Sequence, residues 1–310
     1  MKKENFTDIT YFVLQGISDV PQIQTFLFVA FFSIYSLILL GNATILFAIH
    51  IDSALSSAPM FMFLSHLSFL DICYTTVIFP KMFLTLLGNR SISYAGCFMQ
   101  LFFFISFGQS ESFLLAVMAY DRYIAICYPL YYVDVVTKRV YSYLTIFSWF
   151  TGFLNSALHT GLASRLTFCS SNQISHFFCD ITPLLKLSCM STLLNEIAIY
   201  VSGIFVVFMP FLCILVSYVY IIRAILRIQS AIGRHKTFST CSSHLTVVCM
   251  FYCTVLLMYM RPSSYSLHND KIFSLLYTFI TPLLNPFIYG VRSREVKQVL
   301  KRTFKKNYWS

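Results

Sequence analysis

The sequence predicts an all-α integral membrane protein: a bundle of seven transmembrane helices with the N-terminus extracellular and the C-terminus cytoplasmic. Three observations predict it. Only 11% of the 310 residues are charged while 57% are hydrophobic, against about a quarter charged in soluble domains. Apolar stretches long enough to cross a bilayer recur seven times, and Lys and Arg are distributed unevenly between the segments that join them. The composition excludes a water-soluble globular enzyme. With 33 Phe and 20 Tyr beside 10 Gly and 9 Pro, it also excludes disordered, collagenous and glycine-rich fibrous chains.

A helix needs about 20 mostly apolar residues to cross the hydrocarbon core. The first window, Val20 to Ile51, contains no Asp, Glu, Lys or Arg. The second, Ser53 to Pro80, is interrupted only by Asp71, and the third, Ser91 to Tyr120, only by Glu111. Val140 to Ser164, Ile197 to Ile222, Thr237 to Met260 and Ile272 to Val291 are uninterrupted. No water reaches bilayer depth to satisfy backbone groups, and segments this long are unlike barrel strands, so each is expected to be a helix. Beyond the seventh window Val296, Val299, Leu300 and Phe304 share one helical face. Arg294, Lys297, Lys301, Arg302, Lys305 and Lys306 surround it. This pattern predicts a short amphipathic helix lying in the cytoplasmic interface, apolar face down and basic residues toward anionic membrane lipid.

An odd number of crossings puts the two termini on opposite sides. The connections on the C-terminal side hold fourteen Lys and Arg, among them Arg122, Lys138, Arg139, Arg223, Arg227, Arg234 and Lys236, whereas those on the N-terminal side hold eight. Basic residues are retained in the cytoplasm, so the N-terminus is outside. The chain reads as one domain, 1–310, with 1–24 an extracellular segment, 25–290 the bundle and 291–310 a cytoplasmic tail. No apolar run of signal-peptide length precedes the first helix, which is expected to act as its own uncleaved signal. The formal charge of +10 is an orientation signal and does not point to nucleic acid. The longest connection, Arg165 to Glu196, is too short for a separate folded domain, so any chemistry must use the bundle or its loops.

Four of the ten cysteines fall outside: Cys97 at the mouth of the third helix, and Cys169, Cys179 and Cys189 in the second outer loop. An oxidising compartment favours disulfides, and four cysteines allow three connectivities, among which spacing does not choose. Asn5-Phe6-Thr7 and Asn89-Arg90-Ser91 are sequons on the translocated side. Asn5 is the expected glycosylation site, since Asn89 stands close to the membrane. His176, Cys179 and Asp180 resemble a small metal cluster, which a disulfide at Cys179 would reduce to a weak pair.

Asp71 and Glu111 are the carboxylates deep in the windows, where a charge costs at least ~2.5 kcal/mol. Two readings remain open: protonated carboxyls hydrogen-bonded inside the bundle, or a shared cation that lets both ionise. A proton-relay or ion-coupling pair in a small-solute transporter is the alternative function, and no internal repeat accompanies it. In the third window Phe104, Gly108, Glu111, Leu115, Met118 and Arg122 recur at three or four residues. One helix face thus joins the outer half to the cytoplasmic end.

The run Met118-Ala119-Tyr120-Asp121-Arg122-Tyr123-Ile124-Ala125-Ile126-Cys127, followed by Pro129-Leu130, resembles the signature of olfactory (odorant) receptors within the rhodopsin-like G-protein-coupled receptors. The resemblance continues through Gly41-Asn42, Pro59-Met60-Phe61, Leu67-Ser68-Phe69-Leu70-Asp71 and Ser217-Tyr218. It extends to the run from Lys236 to His244 and the run from Pro282 to Tyr289. There are departures: Phe251-Tyr252-Cys253-Thr254 stands where most rhodopsin-like receptors carry a Trp-containing motif, and Ser57-Ala58 precedes Pro59 where His-Thr is common.

The resemblance implies a non-enzymatic receptor of the plasma membrane, in the cilia of olfactory sensory neurons. It would bind a small odorant and activate a stimulatory, olfactory-type heterotrimeric G protein, raising cAMP. It implies disulfides Cys97–Cys179 and Cys169–Cys189. It also implies a switch in which Arg122 is held at rest by Asp121 and faces the G protein once the sixth helix swings out, with Tyr123, Tyr218, His244 and Tyr289 taking part. Asp71 and Glu111 would surround a sodium ion or a hydrated polar core, with Asn42 and Asn285 nearby. By family position the ligand pocket comprises Phe104, Ile105, Gly108, Gln109 and Ser112 on the third helix and Ser202 and Val206 on the fifth. Tyr252, Val255 and Tyr259 on the sixth and Thr278 on the seventh complete it. A volatile ligand suits a closed, mostly apolar cavity with a few oriented polar groups, and no Lys or Arg lies in these stretches.

Overall fold

The computed structural model describes residues 9–169, 171–259, 270–291 and 293–307. Among them the long helices follow in chain order as α1 (Pro21–Ile51), α2 (Pro59–Leu86), α3 (Tyr94–Cys127) and α4 (Lys138–Ala163), then α5 (Leu193–Leu226), α6 (Ala231–Tyr259), α7 (Asp270–Asn285) and α8 (Arg294–Asn307). Five of them, α1, α2, α3, α5 and α6, are each long and apolar enough to cross a membrane. The 26 residues of α4, and α7 continued by a π-turn at Pro286–Val291, complete the bundle.

Start signals are local. Pro21 and Pro59 occupy the first turns of α1 and α2, where a missing N–H costs nothing. The Ser93 hydroxyl accepts from the Gly96 amide at the start of α3, and the Thr137 hydroxyl from the Val140 amide at the start of α4. Most helices overrun the charge-free windows, because Lys81, Asp121 and Arg223 all tolerate helical backbone. The second window is the exception in register. Pro59 splits it, so that Ser53–Ser57 forms a separate turn capped by Asp52, and α2 begins only afterwards. At its other end Gly88, at φ +96°, closes α2. The Gly88 amide donates to Thr85 O and the Asn89 amide to Leu84 O, a Schellman closure that favours glycine.

Inside the bundle, prolines free carbonyls that neighbouring helices take up. Pro210 cannot donate to Val206 O, and the Ser112 hydroxyl donates there instead at 2.8 Å. Pro286 cannot donate to Pro282 O, and Asn42 Nδ2 donates there at 3.1 Å. Both prolines adjoin π-turns, at Ile204–Phe208 in α5 and at Pro286–Val291. Central α3 packs against α2, α4, α5 and α6.

The outer end carries a feature that the apolar windows do not announce. Strands β1 (Tyr11–Leu14), β2 (Ser91–Ser93) and β3 (Gln173–Ile174) form a sheet in the order β2-β1-β3, antiparallel and then parallel. Phe12 and Leu14 turn inward with Phe98, Leu101, Phe168, Ile174 and Leu184 into an outer apolar cluster. Two disulfides, Cys97–Cys179 and Cys169–Cys189, tie the loop to α3 and to itself, with Cα separations of 5.5 and 6.0 Å. This is the pairing the resemblance implied.

At the cytoplasmic end α8 is helical as predicted, but part of its apolar face meets protein. Val296 and Val299 are buried against Ala48 near the end of α1 and Leu55 in the turn that follows it, with Leu300 packed alongside. The side chain of Phe304 lies outside the described residues, as do the sequon residue Asn5 and the side chain of Tyr259.

Candidate functional site

A cavity of about 100 Å³ opens between α3, α4, α5 and α6 in the outer half of the bundle. Of the residues nominated from the sequence, Phe104, Ile105, Gly108, Gln109, Ser112, Ser202, Val206 and Val255 line it. Tyr252 does not border it. The Tyr252 phenol is fully buried 2.9 Å from the Ser112 hydroxyl and 3.2 Å from the Ser112 carbonyl. Because Ser112 also donates to Val206 O, this cluster joins α3, α5 and α6 directly beside the cavity. Thr278 lies elsewhere in the core, donating to Ser274 O at 2.6 Å.

Sequence reasoning missed α4 and the outer loop. His159, Ile181, Ile199, Tyr200, Gly203, Val207 and Phe251 line the cavity too, and a lone histidine inside the Val140–Ser164 window was the signal that could have found α4. His159 Nε2 lies 2.8 Å from the Ser202 hydroxyl, and Asn155 Nδ2 donates to Gln109 Oε1 at 2.9 Å. The loop residues His176, Cys179 and Asp180 do not converge on a metal site. Cys179 is in a disulfide, His176 Nε2 is 2.8 Å from the Ser274 hydroxyl, and Asp180 accepts from the Ile181 amide.

Deeper in the bundle Asp71 Oδ2 accepts from Asn285 Nδ2 at 2.8 Å, and Glu111 lies within electrostatic reach of Asp71. Asp71 Oδ1, Glu111 Oε1, Asn42 Oδ1, Asn285 Oδ1 and Ser68 Oγ are buried without a hydrogen-bond partner. An all-oxygen set bearing two carboxyls suits a small hard cation, so the residues fit the sodium ion that the resemblance implies. All six residues of the α3 stripe, Phe104 to Arg122, are buried, which joins this core to both ends.

At the cytoplasmic end one expectation needs correcting. Asp121 and Arg122 form no ion pair; Asp121 Oδ1 accepts from the Tyr132 hydroxyl at 2.8 Å, whereas Arg122 Nη1 donates to Thr240 O on α6 at 2.6 Å. Consecutive helical residues point about 100° apart, which sends one side chain to the loop and the other into the bundle. Burial and the neighbouring Asp121 charge hold the Tyr132 phenol well above its ordinary range, so it stays a donor. The Tyr218 hydroxyl lies 2.8 Å from His244 Nδ1 and donates to Cys241 O, linking α5 to α6. Tyr289 is buried nearby, and the Tyr123 ring packs on Tyr128 and Tyr220. The end is closed, with α6 held by both α3 and α5.

Residues 31–307 match the family model described as olfactory receptor. The chain belongs to the olfactory receptor family. It is 47% identical over 307 residues to human olfactory receptor 1L3, covering 99% of this chain and 94% of that one. It is 46% identical over 304 residues to rat olfactory receptor 1f45, with 97% of each covered. It is 47% identical over 304 residues to mouse olfactory receptor 5AP2, covering 97% and 96%. This olfactory receptor is therefore a multi-pass, seven-transmembrane, non-enzymatic G-protein-coupled receptor. The family sets aside the transporter reading of Asp71 and Glu111.

Proposed function

We propose that this receptor binds a small, mostly apolar odorant in the cavity between α3, α4, α5 and α6 and relays occupancy to a stimulatory, olfactory-type heterotrimeric G protein, raising cAMP. The cavity carries the reading: it is apolar on most sides, carries a few fixed polar groups, and adjoins the Ser112–Tyr252 cluster that touches three helices. Family membership supports an odorant and a G protein as the partners. A switch needs only two packings separated by a few kcal/mol and a ligand that prefers one. The resting packing is the one in which Arg122 holds Thr240 O and Tyr218 holds His244. Opening breaks both sets of bonds and exposes Arg122, Tyr123 and Tyr289 toward the G protein. Residues 1–24 are the extracellular segment with Asn5 glycosylated, 25–290 the bundle, and 291–310 the cytoplasmic tail, in the ciliary membrane of olfactory sensory neurons. A sodium ion between Asp71 and Glu111 stabilises the resting packing.

In cells expressing the chain, an odorant panel should raise cAMP only when the stimulatory α subunit is present, with no uptake of the odorant. An equal response without that subunit would contradict the coupling.

A further inference from the structure

Hydrogen-bond accounting in the cavity narrows the class of ligand, on the reading that this cavity is the odorant site. Ser112 has one hydroxyl proton and donates it to Val206 O at 2.8 Å. The proton in its 2.9 Å contact with Tyr252 therefore comes from the phenol. Ser202 and His159 Nε2 satisfy each other at 2.8 Å, whichever of the two carries the proton, and the Ser202 hydroxyl also lies 3.2 Å from Ile199 O. Among the described residues, the buried Ser112 hydroxyl and the Ser202–His159 pair on the wall are thus committed within the protein.

Gln109 differs. Its Oε1 accepts from Asn155 Nδ2 at 2.9 Å, which fixes the amide with its two Nε2 hydrogens unspent in a residue that borders the cavity. Among the described residues no Lys or Arg lines the wall. We propose that the receptor selects compact, neutral molecules bearing an acceptor oxygen with no proton of its own, a ketone, aldehyde, ester or ether, which accepts from Gln109 Nε2, and that Asn155 is the positioning residue that sets the orientation of this amide. An alcohol accepts the same bond but brings a hydroxyl proton that meets side-chain acceptors already engaged at Ser112, Gln109 and the Ser202–His159 pair. A carboxylate brings a charge with no partner, and an alkane leaves Gln109 unpaired. A cavity of this size holds about four to six carbon atoms, since one somewhat larger takes benzene.

The test is a cAMP concentration-response panel of matched ketones, alcohols, alkanes and carboxylic acids of about four to six carbons, read at equal surface density on wild type, Gln109→Met and Asn155→Ala. The expected result is activation by ketones at concentrations about tenfold lower than by the matched alcohols, a difference of about 1.4 kcal/mol, with the acids inactive. Gln109→Met should remove the advantage of ketone over alkane, and Asn155→Ala should shrink that of ketone over alcohol while leaving alkanes where they were. A preference for alcohols or acids, a ketone advantage that survives Gln109→Met, or silence of every carbonyl compound would overturn the proposal. Gly108→Phe separates it from the underlying reading. If filling the cavity there leaves all responses intact at normal surface density, the ligand binds elsewhere; if all responses fall but ketones show no preference in wild type, the site stands and the ligand class is wrong.

Discussion

At Gly152 a hydrogen atom stands where any other residue would place a carbon. A Cβ there would lie 2.6 Å from the Ser106 carbonyl oxygen and 2.9 Å from the Ser110 amide nitrogen, both backbone atoms of α3 that cannot step aside. Gly152→Ala should cost about 1–3 kcal/mol as overpacking and lower the melting temperature and the surface level. Gly161→Ala, on the same helix with nothing within 4 Å of the added carbon, should be neutral or gain up to about 1 kcal/mol. Equal behaviour of the two variants would show that α3 and α4 do not approach as described. Asp71 and Glu111 make a second claim at this scale. Thermal stability of the wild type should rise when sodium replaces a bulky organic cation, and Glu111→Gln should flatten that dependence. Identical curves for both proteins would favour protonated carboxyls over a bound cation.

Among the elements, α8 offers the sharpest contrast between neighbouring positions. Val299 is buried against Ala48 and Leu55, whereas Gln298 is exposed. A spin label at 299 should be immobilised and one at 298 mobile. Equal mobility at both would remove the docked helix. The pattern of Val296, Val299 and Leu300 made this helix legible in the sequence, but not its seat on α1, because periodicity tells which face is apolar and not what covers it. The sheet was less legible still. β1 is four residues long, and its partners lie roughly 80 and 160 residues away. Such pairing follows from the loop disulfides and the outer cluster rather than from any local propensity.

For the whole molecule, charge spacing gave all seven crossings, since few sequences other than membrane helices hold 20 apolar residues together. Helix ends were less secure, because charged residues such as Lys81 and Arg223 sit within helical backbone. The cavity was legible where family position named α3, α5 and α6. It was not legible in α4, whose His159 and Asn155 reach the site only through the packing of α4 on α3 and α5. The Arg122 partner was misread because adjacency in sequence places two side chains on different helix faces. The central claim is that occupancy of the outer cavity drives the cytoplasmic end, and it predicts that blocking the cavity disconnects odorant from signal. The most direct measurement is the cAMP concentration-response of Val206→Trp against wild type at matched surface density, using any odorant that activates the wild type. The account expects the agonist curve to move to roughly tenfold higher concentration or beyond; an unchanged curve would contradict it.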